Sequence, residues 1–214
     1  MLAALFKHFL RPDPFAAEIA AFRAADSVAP VPSDALLFAG SSSSRMWPGL
    51  AADMAPFRVV NRGFGGSSIP DVVRHFFTVM RAPAPRAIVF YAGDNDLELR
   101  RAPSRIVADF EHFMRLKTRR FGAIPVFFVS IKPAPGRMQW RVAREAVNSM
   151  IRQRALERAD LIYVDIAQPM LAADRLDDLF LPDGIHLSAA GYAVWRSTIL
   201  DALFAVFPEA RPIV

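Results

Sequence analysis

Short apolar runs alternate along the chain with longer segments in which apolar residues recur every three or four positions. The short runs lack a polar alternation, as expected for strands that are covered on both faces of a parallel sheet. Five strands are predicted, at residues 35–39, 57–61, 86–91, 123–130 and 161–164. Helices are predicted at residues 14–26, 69–80, 103–119, 136–158 and 188–205. This order predicts an α/β protein whose parallel sheet has helices on both faces.

The first 32 residues differ from the rest of the chain, because they carry two apolar-faced segments and a proline-rich stretch but no strand. Residues 1–32 are therefore predicted to form an N-terminal helical arm and linker, and residues 33–214 the main domain. The arm is expected to pack on that domain or on a second copy of the chain, which would make a homodimer.

Composition narrows the classes of function. Of the 214 residues, 53% are hydrophobic and 22% are charged, which suits a globular protein with a large core. The net charge of +5 comes from scattered arginines without a long basic block, so nucleic acid is not an expected partner. The sequence has no cysteine, which excludes disulfides, thiolate metal sites and a cysteine nucleophile.

Membrane and export signals are also missing from the pattern. No apolar run approaches the length of about 18 residues that a transmembrane helix needs. The start, MLAALFKHFLRPDPF, lacks a basic segment and a small-residue cleavage site, so it is not interpreted as a signal peptide. The expected location is therefore cytoplasmic.

One stretch near the end, residues 181–195, holds an aspartate and a histidine three residues apart, Asp183 and His186. Pro182 and Gly184 place the pair on a loop, and Ser188 is a plausible N-cap for the helix that follows. A histidine held on such a junction, with a carboxylate to orient it, is the base half of a hydrolytic triad.

Three further polar clusters follow predicted strands, at residues 40–44, 61–67 and 93–96, and would meet at one edge of the sheet. Each cluster has an ordinary interpretation when it is taken alone. A serine run is most often a turn or a phosphate-binding loop, and GFGGSS is usually a flexible turn. Taken alone, Asp94 and Asp96 are also compatible with helix caps or a cation site, and Asp183-x-x-His186 is more often a capping or loop arrangement.

Together, and in this order, the four clusters resemble the sequence blocks of SGNH hydrolases, the GDSL-type esterase and lipase family, and in particular its platelet-activating-factor acetylhydrolase-like branch. Gly40-Ser41-Ser42 matches the first block, with Ser41 where the family has aspartate. NRGFGG and Gly93-Asp94-Asn95-Asp96 match the second and third blocks, and Asp183-x-x-His186 matches the last.

The resemblance implies a three-layer α/β/α fold with a flavodoxin-like five-stranded parallel sheet. It also implies a serine esterase in which Ser42 is the nucleophile, His186 the base and Asp183 its orienting acid. The N–H groups of Ser42 and Gly66 and the Asn95 amide would form the oxyanion hole. No metal or cofactor is implied, and the expected partner is a small-molecule ester with a short acyl group. The alternative is a degenerate module that binds an acyl or sugar ester without turnover.

Overall fold

The computed structural model describes residues 12–211, and its centre is a five-stranded sheet in which every pair of neighbouring strands is parallel. The strands are β1 (Leu36–Gly40), β2 (Val59–Gly63), β3 (Ala87–Tyr91), β4 (Val126–Val129) and β5 (Leu161–Val164). Their order across the sheet is β2-β1-β3-β4-β5. The predicted α/β class and the flavodoxin-like parallel sheet are therefore confirmed.

The helices connect these strands and cover the sheet on both sides. They are α1 (Ala16–Val28), α2 (Ser42–Arg45), α3 (Leu50–Asp53), α4 (Ile69–Arg74), α5 (Phe76–Val79), α6 (Asp94–Glu98), α7 (Pro103–Phe121), α8 (Arg141–Leu156), α9 (Ala167–Leu171) and α10 (Ala189–Val206). Short 3-10 turns lie at Pro135–Trp140, Leu176–Leu179 and Pro208–Ala210. None of the helices within residues 12–211 has the length and apolar character needed to cross a bilayer.

The core consists of two apolar layers, one on each face of the sheet. Alternate residues of one strand enter different layers, so that Phe90 packs with α7 while Tyr91 packs against Trp195 of α10. All five residues of β3 are buried, which explains why its sequence shows no polar alternation. The aromatic rings Phe90, Phe110 and Phe113 lie with their centroids 4.5 to 6.1 Å apart, in the layer between the sheet and α7.

Two predicted helices are interrupted. The helix expected at 69–80 is two short helices, because His75 has a φ of −99° and a ψ of 16° at the junction of α4 and α5. The helix expected at 136–158 begins as the 3-10 turn Pro135–Trp140, and regular α-helix starts only at Arg141. Gly136 favours this irregular start because it is a weak helix former and lies against the backbone of another loop.

The helix of the predicted arm, α1, packs against the short helix α5 and contacts strand β2. Its Ile19 is 2% exposed and belongs to the core layer, and the Phe15 ring lies 5.0 Å from the Phe64 ring. Asp26 of α1 and Arg62 of β2 form a buried ion pair. These contacts tie α1 to the domain, while the division of the chain at residue 32 stays a prediction and residues 1–11 lie outside the described part.

Candidate active site

The turn after β1 is shaped by a close backbone approach. Gly40 has a φ of +136°, and a Cβ added there would lie 1.7 Å from the Tyr91 carbonyl oxygen. Only glycine can occupy this position, since any side chain would collide with β3. Ser41 donates its N–H to the same Tyr91 carbonyl at 3.0 Å, and the chain then turns into α2. Ser42 thus stands between β1 and β3, where the strand order reverses and parallel sheets bind ligands.

Only one of the four consecutive serines reaches the cleft at this sheet edge. Ser41, Ser43 and Ser44 are at most 2% exposed, whereas Ser42 is half-buried. The Ser43 hydroxyl accepts a hydrogen bond from Lys132 at 3.1 Å and is therefore engaged elsewhere. The Ser42 Oγ lies 3.1 Å from the His186 Nε2. Among the serines of this run, Ser42 alone has both exposure and a base within hydrogen-bonding distance.

The loop that carries His186 is closed by its own backbone. Phe180 and Leu187 form an antiparallel bridge, and the Leu181 N–H donates to the His186 carbonyl at 2.7 Å. Gly184 supplies the positive φ of +64° that the tight turn requires. Ser188 caps α10 by accepting a hydrogen bond from the Gly191 N–H, as the sequence predicted.

Asp183 holds the His186 ring through Nδ1, the ring nitrogen that does not contact Ser42. The His186 Nδ1 lies 2.6 Å from the Asp183 Oδ2, while the Asp183 Oδ1 accepts the backbone N–H groups of Ile185 and His186 at 2.8 and 2.9 Å. Burial raises the pKa of this carboxyl, but the hydrogen bonds from the His186 ring and the two N–H groups outweigh burial and lower the pKa to about 2. Asp183 is therefore ionised at neutral pH and favours the tautomer with its proton on Nδ1.

Gly66 and Asn95 line the same cleft as Ser42 and His186. Gly66 has a φ of +74° and open space around it. Within residues 12–211, neither the Gly66 N–H nor the Ser42 N–H makes a hydrogen bond, so both remain available to a ligand. The Asn95 side chain donates from Nδ2 to the Ser67 carbonyl at 3.0 Å. Four of the five residues predicted for the site therefore line the cleft, and the fifth, Asp183, contacts it through His186.

Four residues near the cleft have no role predicted from the sequence, and three of them lie outside the predicted polar clusters. Glu18 of α1 accepts the Gly65 N–H at 3.0 Å and lines the cleft. Arg137 donates to Asn95 at 3.1 Å. Asn61, within the matched NRGFGG run, donates to the Ser44 carbonyl at 2.6 Å and thereby supports α2.

The fourth of these residues, Lys132, does not line the cleft and is 2% exposed. Its ammonium donates to the Asp94 carboxylate at 2.7 Å, to the Tyr91 hydroxyl at 2.9 Å and to Ser43. Burial raises the pKa of Asp94, but the charges of Lys132 and Arg137 outweigh burial and lower it. Lys132 therefore joins the segment that holds Ser42 to the short helix α6 that holds Asn95.

The two other histidines described lie away from the cleft. His75 faces Asp13, with its Nε2 3.0 Å from the carboxylate, and His112 is exposed on α7. Neither is within the cleft lining, which consists of Glu18, Ser42, Arg45, Gly65, Gly66, Asn95, Arg137, Ile185 and His186. His186 is thus the histidine positioned to act on Ser42.

Asp96, beside Asn95, is a buried carboxyl whose titration should affect stability. Burial raises its pKa to about 7, although it accepts the Ile69 N–H at 3.0 Å and faces Arg101. Between about pH 4 and 7 the folded protein therefore keeps a proton that the unfolded chain releases. The free energy of unfolding should fall as the pH rises through this window, by up to about 1.4 kcal/mol per pH unit, and level off above it.

Asp96→Asn should remove this contribution, since the amide cannot ionise and can still accept the Ile69 N–H. Urea denaturation of both proteins from pH 4 to 8 measures the effect. We expect the difference in unfolding free energy between variant and native chain to change by more than 1 kcal/mol, in favour of Asn, as the pH rises. A difference that is independent of pH would show that Asp96 is already ionised throughout this range.

The chain is similar to known proteins in both sequence and fold. Residues 26–194 match the GDSL-like lipase/acylhydrolase family. No protein with a curated description matches the chain. Among solved structures, a Streptococcus pneumonia protein provisionally called a platelet activating factor is 20% identical, with a TM-score of 0.77 over 95% of this chain and 98% of that one.

Two other solved structures have the same fold. A GDSL-like lipase from Bacteroides thetaiotaomicron is 19% identical, with a TM-score of 0.69 over 88% of this chain and 99% of that one. A carbohydrate esterase family 3 protein from Talaromyces cellulolyticus is 16% identical, with a TM-score of 0.67 over 83% of this chain and all of that one. At these identities the structures support the fold alone, whereas the family match covers most of the sequence. The chain therefore belongs to the GDSL-like lipase/acylhydrolase family.

Proposed function

We propose that the protein is a serine esterase that hydrolyses carboxylic esters through an acyl-enzyme. The observation that carries this proposal is the continuous chain of contacts from the Ser42 Oγ to the His186 Nε2 and from the His186 Nδ1 to Asp183. A serine hydroxyl is a weak nucleophile at neutral pH, so it needs an adjacent base in such an arrangement.

In the proposed mechanism, Ser42 attacks the ester carbonyl while His186 takes the serine proton. Asp183 stabilises the resulting imidazolium, which then gives its proton to the leaving alcohol. An ester oxygen at Ser42 would face the free N–H groups of Ser42 and Gly66 and the Asn95 amide, which would bind the oxyanion. Water then attacks the acyl-enzyme with His186 again as base, so that the products are a carboxylic acid and an alcohol.

The lining of the cleft supports a short acyl group. The cleft has a volume of about 410 Å³, and Ile185 is the one large apolar side chain among its lining residues within the described chain. A long acyl chain gains its binding energy by burying apolar surface, at about 0.8 kcal/mol for each methylene, and this cleft offers little such surface. Acetyl or similarly small esters of polar alcohols fit it better than lipids do.

The direct test of this function is hydrolysis of p-nitrophenyl esters from acetate to palmitate, with acetylated sugars and lysophospholipid in parallel. We expect Ser42-dependent hydrolysis with the highest kcat/KM for the shortest acyl groups. Binding of such esters without any turnover would instead identify the chain as a non-catalytic ester-binding module. A preference for palmitate would contradict the interpretation of the cleft.

Asn95→Ala should lower kcat by roughly 10² to 10³ and leave KM little changed. The Asn95 amide is a neutral donor, and its bond to the substrate oxygen strengthens as negative charge develops in the transition state. Steady-state kinetics with p-nitrophenyl acetate measure this effect. Near-native kcat in a folded Asn95→Ala protein would exclude Asn95 from the oxyanion hole.

A further inference from the structure

The connection after β4 brings an arginine to the cleft that none of the matched sequence blocks contains. Arg137 lies on the 3-10 turn Pro135–Trp140 and lines the cleft beside Ser42. One Nη of its guanidinium donates to the Asn95 Oδ1 at 3.1 Å, and the other donates to the backbone carbonyl of Asp94. We propose that Arg137 is a positioning residue that orients and polarises the Asn95 amide for oxyanion binding.

The orientation of Asn95 follows from its two neighbours. Its Oδ1 faces a guanidinium donor, and its Nδ2 faces the carbonyl oxygen of Ser67 at 3.0 Å. Rotating the amide by 180° would set its hydrogens against the cation and its oxygen against the carbonyl, so both contacts would become repulsive. The observed orientation uses one Nδ2 hydrogen for Ser67 and leaves the second for the cleft.

The charge of Arg137 also changes the donor strength of the amide. A cation that binds Oδ1 draws electron density from the amide, and hydrogen bonds in such a chain strengthen one another. The Nδ2–H becomes more acidic and therefore gains most when it faces a full oxyanion rather than a neutral carbonyl. This effect should be seen in kcat more than in KM.

The backbone before Arg137 is held firmly enough for this role. The Gly136 N–H donates to the Gly184 carbonyl at 2.9 Å, and a Cβ on Gly136 would lie 2.9 Å from the Asp183 carbonyl oxygen. The turn therefore rests on the loop that carries Asp183, while the Arg137 side chain reaches the start of helix α6, which carries Asn95. Arg137 is half-buried, so its guanidinium is partly shielded from water.

This inference rests on the proposed esterase function, and its kinetic test is a double-mutant cycle with p-nitrophenyl acetate. Arg137→Met should lower kcat by about 10- to 100-fold with little change in KM, as expected for loss of a charge-assisted hydrogen bond. In an Asn95→Ala background the same change should cost no more than about twofold, because Arg137 acts through Asn95. Arg137→Lys should recover only part of the rate, since an ammonium lacks the planar fork.

Arg141→Met provides the matched control. Arg141 lies four residues further on, is exposed and contacts Glu145 rather than any residue of the cleft. The kcat of the Arg141→Met protein should equal that of the native protein. An Arg137→Met effect of equal size with and without Asn95, or a rise in KM at constant kcat, would overturn the proposal and indicate direct contact of Arg137 with substrate.

A second readout needs no turnover and so separates this inference from the proposed function. NMR spectra of the ¹⁵N-labelled protein contain the two Nδ2 protons of Asn95, which are identified by their loss in Asn95→Ala. In Arg137→Met these signals should shift and their exchange with water should accelerate, while Arg141→Met leaves them unchanged. An unaltered Asn95 signal in Arg137→Met would reject the positioning role even if the protein proved to have no esterase activity. A native protein without turnover would reject the proposed function alone.

Discussion

Ser42→Ala should lower kcat for p-nitrophenyl acetate on the order of 10⁶-fold, to the residual level that substrate binding and the oxyanion hole provide. The Ser42 Oγ lies 3.1 Å from the His186 Nε2, and alanine leaves this base without a nucleophile to activate. The fold should be unaffected, because the hydroxyl is half-buried and lines an open cleft. Hydrolysis is measured with purified protein, and thermal melting checks the fold.

Ser41→Ala is the matched control for this change. The Ser41 side chain is fully buried, and its hydroxyl makes no hydrogen bond within residues 12–211. The control protein should keep kcat within about threefold and should be as stable as the native protein or slightly more so, since an unsatisfied buried hydroxyl is removed. Ser43→Ala would be a poorer control because its hydroxyl accepts a hydrogen bond from Lys132. Full activity in Ser42→Ala would remove this serine from the reaction.

Lys132→Met should lower the free energy of unfolding by about 3 to 5 kcal/mol, the largest stability effect that we expect from a single substitution near the cleft. Lys132 is 2% exposed, and its ammonium lies 2.7 Å from the Asp94 carboxylate. Methionine fills much of the same volume, but it leaves Asp94 as a buried charge without its main partner. Urea denaturation at pH 7 measures the loss.

The double variant Lys132→Met with Asp94→Asn tests this explanation. Asparagine removes the buried charge and can still accept a hydrogen bond through its oxygen, so more than half of the lost stability should return. Arg141→Met removes an exposed ion pair and should change the unfolding free energy by less than about 1 kcal/mol. Equal losses in the single and double variants would show that packing of the lysine side chain, rather than charge pairing, accounts for the effect.

The sheet was predictable because its three central strands, β1, β3 and β4, are buried on both faces. The side chains of β3, AIVFY, pack into both core layers, and its unbroken apolar sequence is what burial on both faces requires. The register within the serine run was predictable only by resemblance, because four adjacent serines have the same local chemistry. What distinguishes Ser42 is exposure and the distance to His186, which is 144 positions away in the sequence.

The supporting residues were missed for a different reason. Arg137 is one of many arginines in the chain, and nothing in its neighbours indicates that it contacts Asn95, 42 positions away. Glu18 belongs to the segment that the sequence predicts as an arm, yet it accepts the Gly65 N–H at the cleft. Long-range contacts of single polar residues have no local periodicity or motif, so only the folded structure reveals them.

Covalent labelling with a fluorophosphonate tests whether Ser42 is the activated nucleophile. The phosphorus of this reagent reacts with activated serines, and mass spectrometry of the tryptic peptide spanning residues 24–45 locates the adduct among the serines of the run. We predict one adduct, on Ser42, that forms in the native protein and in Ser41→Ala but not in Ser42→Ala. An adduct on Ser41, Ser43 or Ser44, or no adduct in a folded protein that hydrolyses esters, would contradict this prediction.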